Sequence, residues 1–125
     1  MMPVTIRRRS PQVLAPGLGP LQHALIDVTP PAPTSTELIV GVPGRMIAIY
    51  ELVLWTTVAQ TLTLRNGSRT FMRFTNAPAL FGFSHPEKAS GEPWYLLSTN
   101  SPLVLVTSAA GQVDGYVQYR IQEPQ

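Results

Sequence analysis

The sequence predicts an all-β fold, a jelly-roll-like β-sandwich of about eight antiparallel strands with an extended N-terminal arm. Short runs of residues with high strand propensity alternate between apolar and polar positions. Glycine, proline and asparagine separate these runs at short intervals. No run repeats its apolar residues at the spacing of an amphipathic helix. Short strands at this spacing, about eight or nine in all, are typical of a sandwich or a barrel.

The arm covers residues 1–20, the β-sandwich domain residues 21–121 and a short tail residues 122–125. Four prolines and two glycines exclude a regular helix or a central strand from the arm. The arm nevertheless contains apolar residues that a solvated tail would not need. We therefore expect it to bind a partner subunit, with disorder as the alternative. Its candidate partner-binding residues are Ile6, Arg7, Arg8, Arg9, Val13, Leu14 and Leu18.

The strands of the domain are predicted from the alternation and from the turn residues that end each run. In chain order they cover residues 22–29, 36–42, 46–55, 61–66, 69–75, 77–83, 93–98, 103–107 and 112–121. Pro43-Gly44 and Asn66-Gly67 are predicted turns, and the second is a strong hairpin signal because both residues accept a positive φ. Residues 85–92 are predicted to form an exposed loop.

The stretch over residues 45–66 is predicted to be the central hairpin of the domain, with two strands joined at Thr56-Thr57. Simple alternation places Met46, Ala48, Tyr50, Leu52 and Leu54 on one face, and Ile47, Ile49, Glu51, Val53 and Trp55 on the other. Both faces are largely apolar, which predicts a central strand that is covered on both sides.

The composition restricts the classes of partner. Charged residues make up only 13% of the chain, against about a quarter in typical domains. We interpret this as surface covered by other subunits, in a homodimer or homotrimer; the alternative is a neutral surface rich in Ser and Thr. The net charge of +2 is concentrated in the arginine triplet of residues 7–9, without which Lys+Arg is 6 against Asp+Glu 7. No specific nucleic-acid partner is therefore expected.

The sequence also argues against a membrane protein and against an enzyme. No stretch approaches the roughly 18 consecutive apolar residues of a membrane span. There is no cysteine, which excludes disulfides and suits assembly in the cytoplasm. The two histidines, His23 and His85, lack the spacing of metal ligands, and no nucleophile or nucleotide motif is present. We expect no metal, no cofactor and no enzymatic activity.

Aromatic residues are the remaining candidates for binding. Trp94 and Tyr95, together with Trp55, could stack on sugars at the surface. In an all-β chain such residues are more often part of the core or of an interface, and both interpretations stay open here.

Five segments carry a resemblance to a known family. They are residues 44–52 (GRMIAIYEL), 59–67 (AQTLTLRNG), 93–96 (PWYL), 102–105 (PLVL) and 115–119 (GYVQY). Together they resemble small β-sandwich virion proteins of tailed bacteriophages, above all the capsid decoration or cement proteins. The resemblance covers residues 41–121 and is a pattern of strands and turns, without a catalytic signature.

The resemblance implies a non-enzymatic structural protein of the virion. Such a protein would be assembled in the host cytoplasm, bind the outer surface of the major capsid protein lattice and stabilise the head. The alternative is a module of a phage tail or fibre that binds another tail protein, or a host glycan through Trp94, Tyr95 and the loops over residues 81–93.

Overall fold

The computed structural model describes residues 18–124, and within that range the chain forms nine strands and no helix. The strands are β1 (Gln22–Val28), β2 (Thr34–Ile39), β3 (Met46–Thr56), β4 (Gln60–Asn66), β5 (Arg69–Ala77), β6 (Phe81–His85), β7 (Tyr95–Leu96), β8 (Leu103–Thr107) and β9 (Val113–Gln122). Two antiparallel sheets pack against each other, so the predicted all-β sandwich is confirmed.

The strands are distributed over the two sheets in a nested pairing pattern. The five-stranded sheet has the order β1-β9-β3-β6, with the short β7 also pairing with β3. The four-stranded sheet has the order β2-β8-β4-β5. Apart from β7, the pairs are nested: β1 pairs with β9, β2 with β8, β3 with β6 and β4 with β5. The chain therefore passes repeatedly from one sheet to the other, and among residues 18–124 only β4 and β5 form a tight hairpin.

The predicted hairpin across Thr56-Thr57 is wrong, because β3 and β4 lie in different sheets. β3 pairs with β9, β6 and β7, whereas β4 pairs with β5 and β8. Thr56 is buried at the end of β3, and its hydroxyl donates a hydrogen bond of 2.8 Å to the carbonyl of Val58. The backbone N–H of Thr57 donates to the carbonyl of Gln112 at 3.1 Å. These bonds fix the chain where it crosses between the sheets.

β3 is a central strand, as the sequence predicts, but it is not covered on both sides, since Trp55 on its outward side is 46% exposed. The alternation of β3 is also interrupted. Ile49 and Glu51 lie opposite consecutive residues of β9, so Tyr50 is the extra residue of a β-bulge. The bulge changes which residues face the other sheet. The core-facing residues of β3 are Ile47 and Ile49 before the bulge and Leu52 and Leu54 after it. The single alternation predicted for residues 46–55 is therefore wrong beyond Tyr50.

Most other strands lie where the sequence places them. The hairpin turn after Asn66 is confirmed, with Gly67 at a φ of 66°. The turn at Pro43-Gly44 is also confirmed, because the N–H of Arg45 donates to the carbonyl of Val42 at 3.0 Å. Three strands differ most from the prediction: β2 covers residues 34–39 and not 36–42, β6 covers residues 81–85 and not 77–83, and the strand predicted over residues 93–98 is reduced to β7.

The core lies between the two sheets and is built from aliphatic side chains. Its largest fully buried members are Ile26, Ile47, Ile49, Leu52, Leu54, Leu62, Leu64, Leu97, Leu103, Leu105, Val113 and Val117. Each contributes on the order of 1.5–3 kcal/mol through removal of its apolar surface from water. Phe74 of β5 closes one side of the sandwich, with its ring centroid 5.3 Å from that of Phe81 and 4.8 Å from that of Phe83.

Candidate interaction surfaces

Most of the predicted arm site lies outside the described residues: this applies to Ile6, Arg7, Arg8, Arg9, Val13 and Leu14. Leu18 is described, and it forms an antiparallel bridge with Gln122 at the end of β9. The N–H of Gly19 donates to the carbonyl of Ile121 at 3.0 Å, and Nη1 of Arg120 donates to the carbonyl of Gly19 at 2.8 Å. The first described residues are thus attached to the five-stranded sheet before the predicted domain boundary at residue 21.

Trp94 and Tyr95 belong to an aromatic cluster, here defined as Phe71, His85, Trp94 and Tyr95. Trp94 and Tyr95 are both half-buried. The His85 ring stacks on Trp94 at a centroid distance of 4.4 Å, and Phe71 stacks on Tyr95 at 4.1 Å. One face of each predicted aromatic is therefore occupied by a neighbouring ring. The indole Nε1 of Trp94 is buried and has no hydrogen-bond partner among residues 18–124.

A buried amide ties the aromatic cluster to the core. Asn66, at the end of β4, is only 7% exposed. Its Nδ2 donates to Oγ of Ser98 at 3.1 Å and to the Tyr95 hydroxyl at 3.5 Å, and its Oδ1 accepts from the N–H of Ser98 at 3.0 Å. These hydrogen bonds fix the tyrosine ring at the edge of the sandwich, as in a packed part of the structure.

The outer face of the five-stranded sheet is a different surface, which we define by nine side chains that point away from the core. The strand register arranges them in three rows across β1, β9 and β3: Asp27, Asp114 and Trp55; Leu25, Tyr116 and Val53; and His23, Gln118 and Glu51. Leu25 is 74% exposed and Trp55 is 46% exposed. The face therefore combines accessible apolar area with three carboxylates.

Hydrogen bonds organise the acidic groups of the outer face. Nε2 of Gln112 donates to Oδ1 of Asp27 at 2.7 Å and to Oδ1 of Asp114 at 2.6 Å. This amide bridges two carboxylates that lie directly opposite each other on β1 and β9, a like-charge arrangement that is unfavourable by itself. The Thr29 hydroxyl donates to the other end of the same amide, at Oε1.

Tyr116 lies at the centre of the outer face. Its hydroxyl donates a hydrogen bond of 2.9 Å to Oε2 of Glu51, and the His23 ring stacks on it at a centroid distance of 4.9 Å. The hydrogen bond to Glu51, together with desolvation and the negative charge of Glu51, raises the pKa of Tyr116 above its ordinary value.

The sequence indicates Trp55, Trp94 and Tyr95 as candidates for binding, but it does not indicate the outer face, to which only Trp55 of these three belongs. Trp55 was a candidate, whereas Leu25 and Tyr116 were not. Leu25 alternates with His23 and Asp27 on the side of β1 opposite the buried Ile26, and this apolar residue on a polar face is the signal that could have revealed it. The cross-strand neighbours on β3 and β9 depend on the long-range register, which no local pattern contains.

Across residues 18–124, no three His, Asp or Glu side chains lie together as a group that could hold a metal ion. The same range contains no helix long and apolar enough to span a membrane. His85 stacks on Trp94, with its Nδ1 lying 3.1 Å from the carbonyl oxygen of Pro86.

No protein-family model, curated protein or solved structure matches this chain. Any functional proposal therefore depends on the chain's own strand pattern and surface chemistry.

Proposed function

We propose that this chain is a non-enzymatic structural protein of a tailed-bacteriophage virion, a decoration or cement protein that binds the outer surface of the major capsid protein lattice and stabilises the head. The pattern of strands and turns over residues 41–121 resembles that class. The observation that carries the proposal is the nested pairing of the strands, which supports a jelly roll, a fold that recurs in capsid proteins.

The support for a jelly roll comes from the pairing of strands that are far apart in the sequence. A long antiparallel ribbon that is folded over itself pairs its first strand with its last, its second with the last but one, and so on. With β7 set aside as a two-residue addition to β3, the eight remaining strands follow this rule. The additional pairs β9–β3 and β8–β4 complete the two sheets of four.

The surface properties are compatible with attachment to a lattice. Many copies on one particle need only modest affinity each when contacts between neighbours are linked. A rigid sandwich with an apolar and cationic N-terminal segment provides such a module, and the low charge of 13% suits contacts with neighbouring copies, in a dimer or a trimer. The major capsid protein is the proposed partner of the arm residues.

Electron microscopy of labelled particles tests the proposal. An antibody raised against the full chain is applied to particles of the phage that encodes it, and an antibody against the major capsid protein provides the control for access. We expect regularly spaced label on the head. Label confined to the tail or its fibres, or particles that bind only the control antibody, would contradict the decoration role.

A glycan-binding module of a tail or fibre is the second candidate, and the exposed indole of Trp55 favours it. The Trp94–Tyr95 pair supports it less, because a neighbouring ring occupies one face of each side chain. A glycan array with the full chain tests this function, with Trp55→Ala as the variant and Leu25→Ala as a control on the same face. Binding that depends on Trp55 but not on Leu25 would favour the glycan function over the capsid function.

A further inference from the structure

β1 forms one edge of the five-stranded sheet, and within residues 18–124 no strand pairs with its outer side. Alternate residues of an edge strand point their backbone N–H and C=O groups away from the sheet, and a further strand can bind to that row. β1 pairs with β9 over all of its seven residues without a register shift, so the row is regular. This edge is therefore a template for one more strand.

The other strands at the sheet edges have features that oppose such pairing. β2 contains the exposed Glu37, after which its register shifts. β5 has two register shifts in its pairing with β4 and carries Arg69 and Arg73. β6 and β7 have only five and two residues. Bulges, charged side chains and short strands protect sheet edges, whereas β1 has no bulge, no proline and no lysine or arginine, and it exposes Leu25.

The side chains of β1 favour a second copy of β1 as the added strand. If two copies run antiparallel about a two-fold axis at Leu25, His23 of each copy lies opposite Asp27 of the other. The two Leu25 side chains meet at the axis, and on the core side Ala24 of each copy lies opposite Ile26 of the other. Cross-strand pairs of opposite charge and of apolar residues stabilise antiparallel strands. The two strands also overlap over their whole length.

The neighbouring registers lack this match. A two-fold axis at Ala24 would place Asp27 of each copy opposite Leu21 of the other. A two-fold axis at Ile26 would place Asp27 opposite Leu25. Both registers leave a carboxylate against a leucine, and larger shifts shorten the overlap of the strands. Since register is set by the match of side chains across the pair, the axis at Leu25 is favoured.

The charges on the neighbouring strands fit the same arrangement. Asp114 lies opposite Asp27, so one end of the outward side of β1 and β9 is acidic. Arg120 lies on the outward side of β9 towards the His23 end, where it is fixed by a hydrogen bond to a backbone carbonyl. An axis at the middle of β1 brings the acidic end of each copy beside the cationic end of the other. Glu51 lies on β3, two strands from the edge, where it accepts the hydrogen bond of a tyrosine hydroxyl.

We propose that two copies of this chain form a dimer through antiparallel pairing of their β1 strands, with the two-fold axis at Leu25. Their five-stranded sheets then form one continuous sheet of ten strands. The pairing satisfies the free backbone groups of the edge and covers Leu25. It rests on the part of the proposed function in which copies contact each other, and it is tested on the free protein. A monomer in solution would overturn the pairing, whereas label on the phage head would still support the decoration role.

Cross-linking of the full chain tests the position of the axis, because the chain has no cysteine of its own. Leu25→Cys places two thiols opposite each other, where the Cβ atoms of directly opposed residues are about 4.5–5.5 Å apart. We expect a short bifunctional thiol reagent to convert most of this variant into a covalent dimer. Leu80→Cys is the matched control, because Leu80 is exposed to a similar degree (68%) but lies between β5 and β6. Equal cross-linking of the two variants would overturn the proposal.

Analytical ultracentrifugation tests the register through the charges. We expect the full chain to sediment as a dimer that dissociates on dilution. His23→Glu places carboxylates opposite each other at two symmetric positions and should lower the association constant by about tenfold. Adding Asp27→Lys exchanges the two charges and should restore association. Adding Glu37→Lys instead makes a similar change of net charge on the other sheet and should not restore it. A monomer at all concentrations, a larger oligomer, or equal rescue by the two lysine changes would overturn the proposal.

Discussion

Gly115 shows at the scale of single residues how closely β9 approaches β3. It has a φ of 150°, and a Cβ added there would overlap the carbonyl oxygen of Val53 and lie 2.8 Å from its carbonyl carbon. The obstacle is backbone in the middle of the sheet, so no rotamer change can relieve it. Glycine is required here for both its conformation and its size.

We expect Gly115→Ala to lower the free energy of unfolding by about 3 kcal/mol or more, because backbone strain and a backbone clash combine. Gly91→Ala is the matched control: Gly91 also has a positive φ of 79°, but nothing lies within 4 Å of an added Cβ. That variant should lose only about 1 kcal/mol. Urea unfolding measures both, and equal losses would show that the close approach to Val53 is not the cause.

The hydrogen bond between Tyr116 and Glu51 leads to a prediction about how stability depends on pH. Because the pKa of Tyr116 is raised in the folded protein, its protonated form contributes stability below the unfolded pKa of about 10, and this contribution is lost as the pH rises through the folded value. NMR titration of labelled tyrosine rings should show Tyr116 ionising at a higher pH than it does in Glu51→Gln. An unchanged titration in that variant would contradict the assigned role of the carboxylate.

At the scale of elements, the bulge in β3 decides which side chains form the core. Ile49 and Leu52 are three residues apart, so uninterrupted alternation would place them on opposite faces, yet both are fully buried in the same core. The bulge at Tyr50 reconciles their positions.

We therefore expect Ile49→Ala and Leu52→Ala each to cost about 2–5 kcal/mol of unfolding free energy, as large-to-small changes in a core do. Val53→Ala, on the outer face, should cost about 1 kcal/mol or less, since Val53 is only half-buried and loses little packing. Thermal or urea unfolding of the three variants checks this. A small loss for either Ile49 or Leu52 would mean that the strand alternates without the bulge.

The sequence predicts individual strands better than their partners. Residues 22–28 and 103–107 were located almost to the residue because alternation and turn residues are local properties. The same alternation is compatible with a β3–β4 hairpin and with a crossing between sheets, so the partner of β3 could not be read from it. The bulge at Tyr50 also escaped prediction, since it is defined by the register with β9.

The candidate surfaces likewise combine a local property that the sequence predicts with long-range contacts that it does not. Trp55, Trp94 and Tyr95 were identified by residue type, but their exposure is decided by distant neighbours. The rings of His85 and Phe71 cover one face of Trp94 and Tyr95, whereas the strand next to Trp55 presents only Gly82. The outer face depends in addition on three strands from the two ends and the middle of the chain.

At the scale of the whole molecule, the domain boundary can be tested by two truncations. A chain that begins at Leu18 keeps the bridge to Gln122 and the bonds of Gly19, whereas a chain that begins at Leu21 loses both hydrogen bonds and leaves Arg120 without that acceptor. We expect the first truncation to change the free energy of unfolding by about 1 kcal/mol or less, and the second to lower it by about 1–3 kcal/mol. Equal stability of the two truncated chains would mean that Leu18 and Gly19 add nothing to the sheet.

The same pair of truncations tests the proposed attachment of the arm to a capsid. If three or four apolar side chains of residues 1–17 dock on a partner at about 1.5 kcal/mol each, their removal weakens binding by several orders of magnitude. The chain that begins at Leu18 should therefore stay folded but fail to co-sediment with particles. The triple change Arg7→Gln, Arg8→Gln and Arg9→Gln in the full chain should do less, and its effect should shrink as salt is raised, because exposed ion pairs are weak and screened. Co-sedimentation of the truncated chain at the full-length level would show that the attachment surface lies on the sandwich itself.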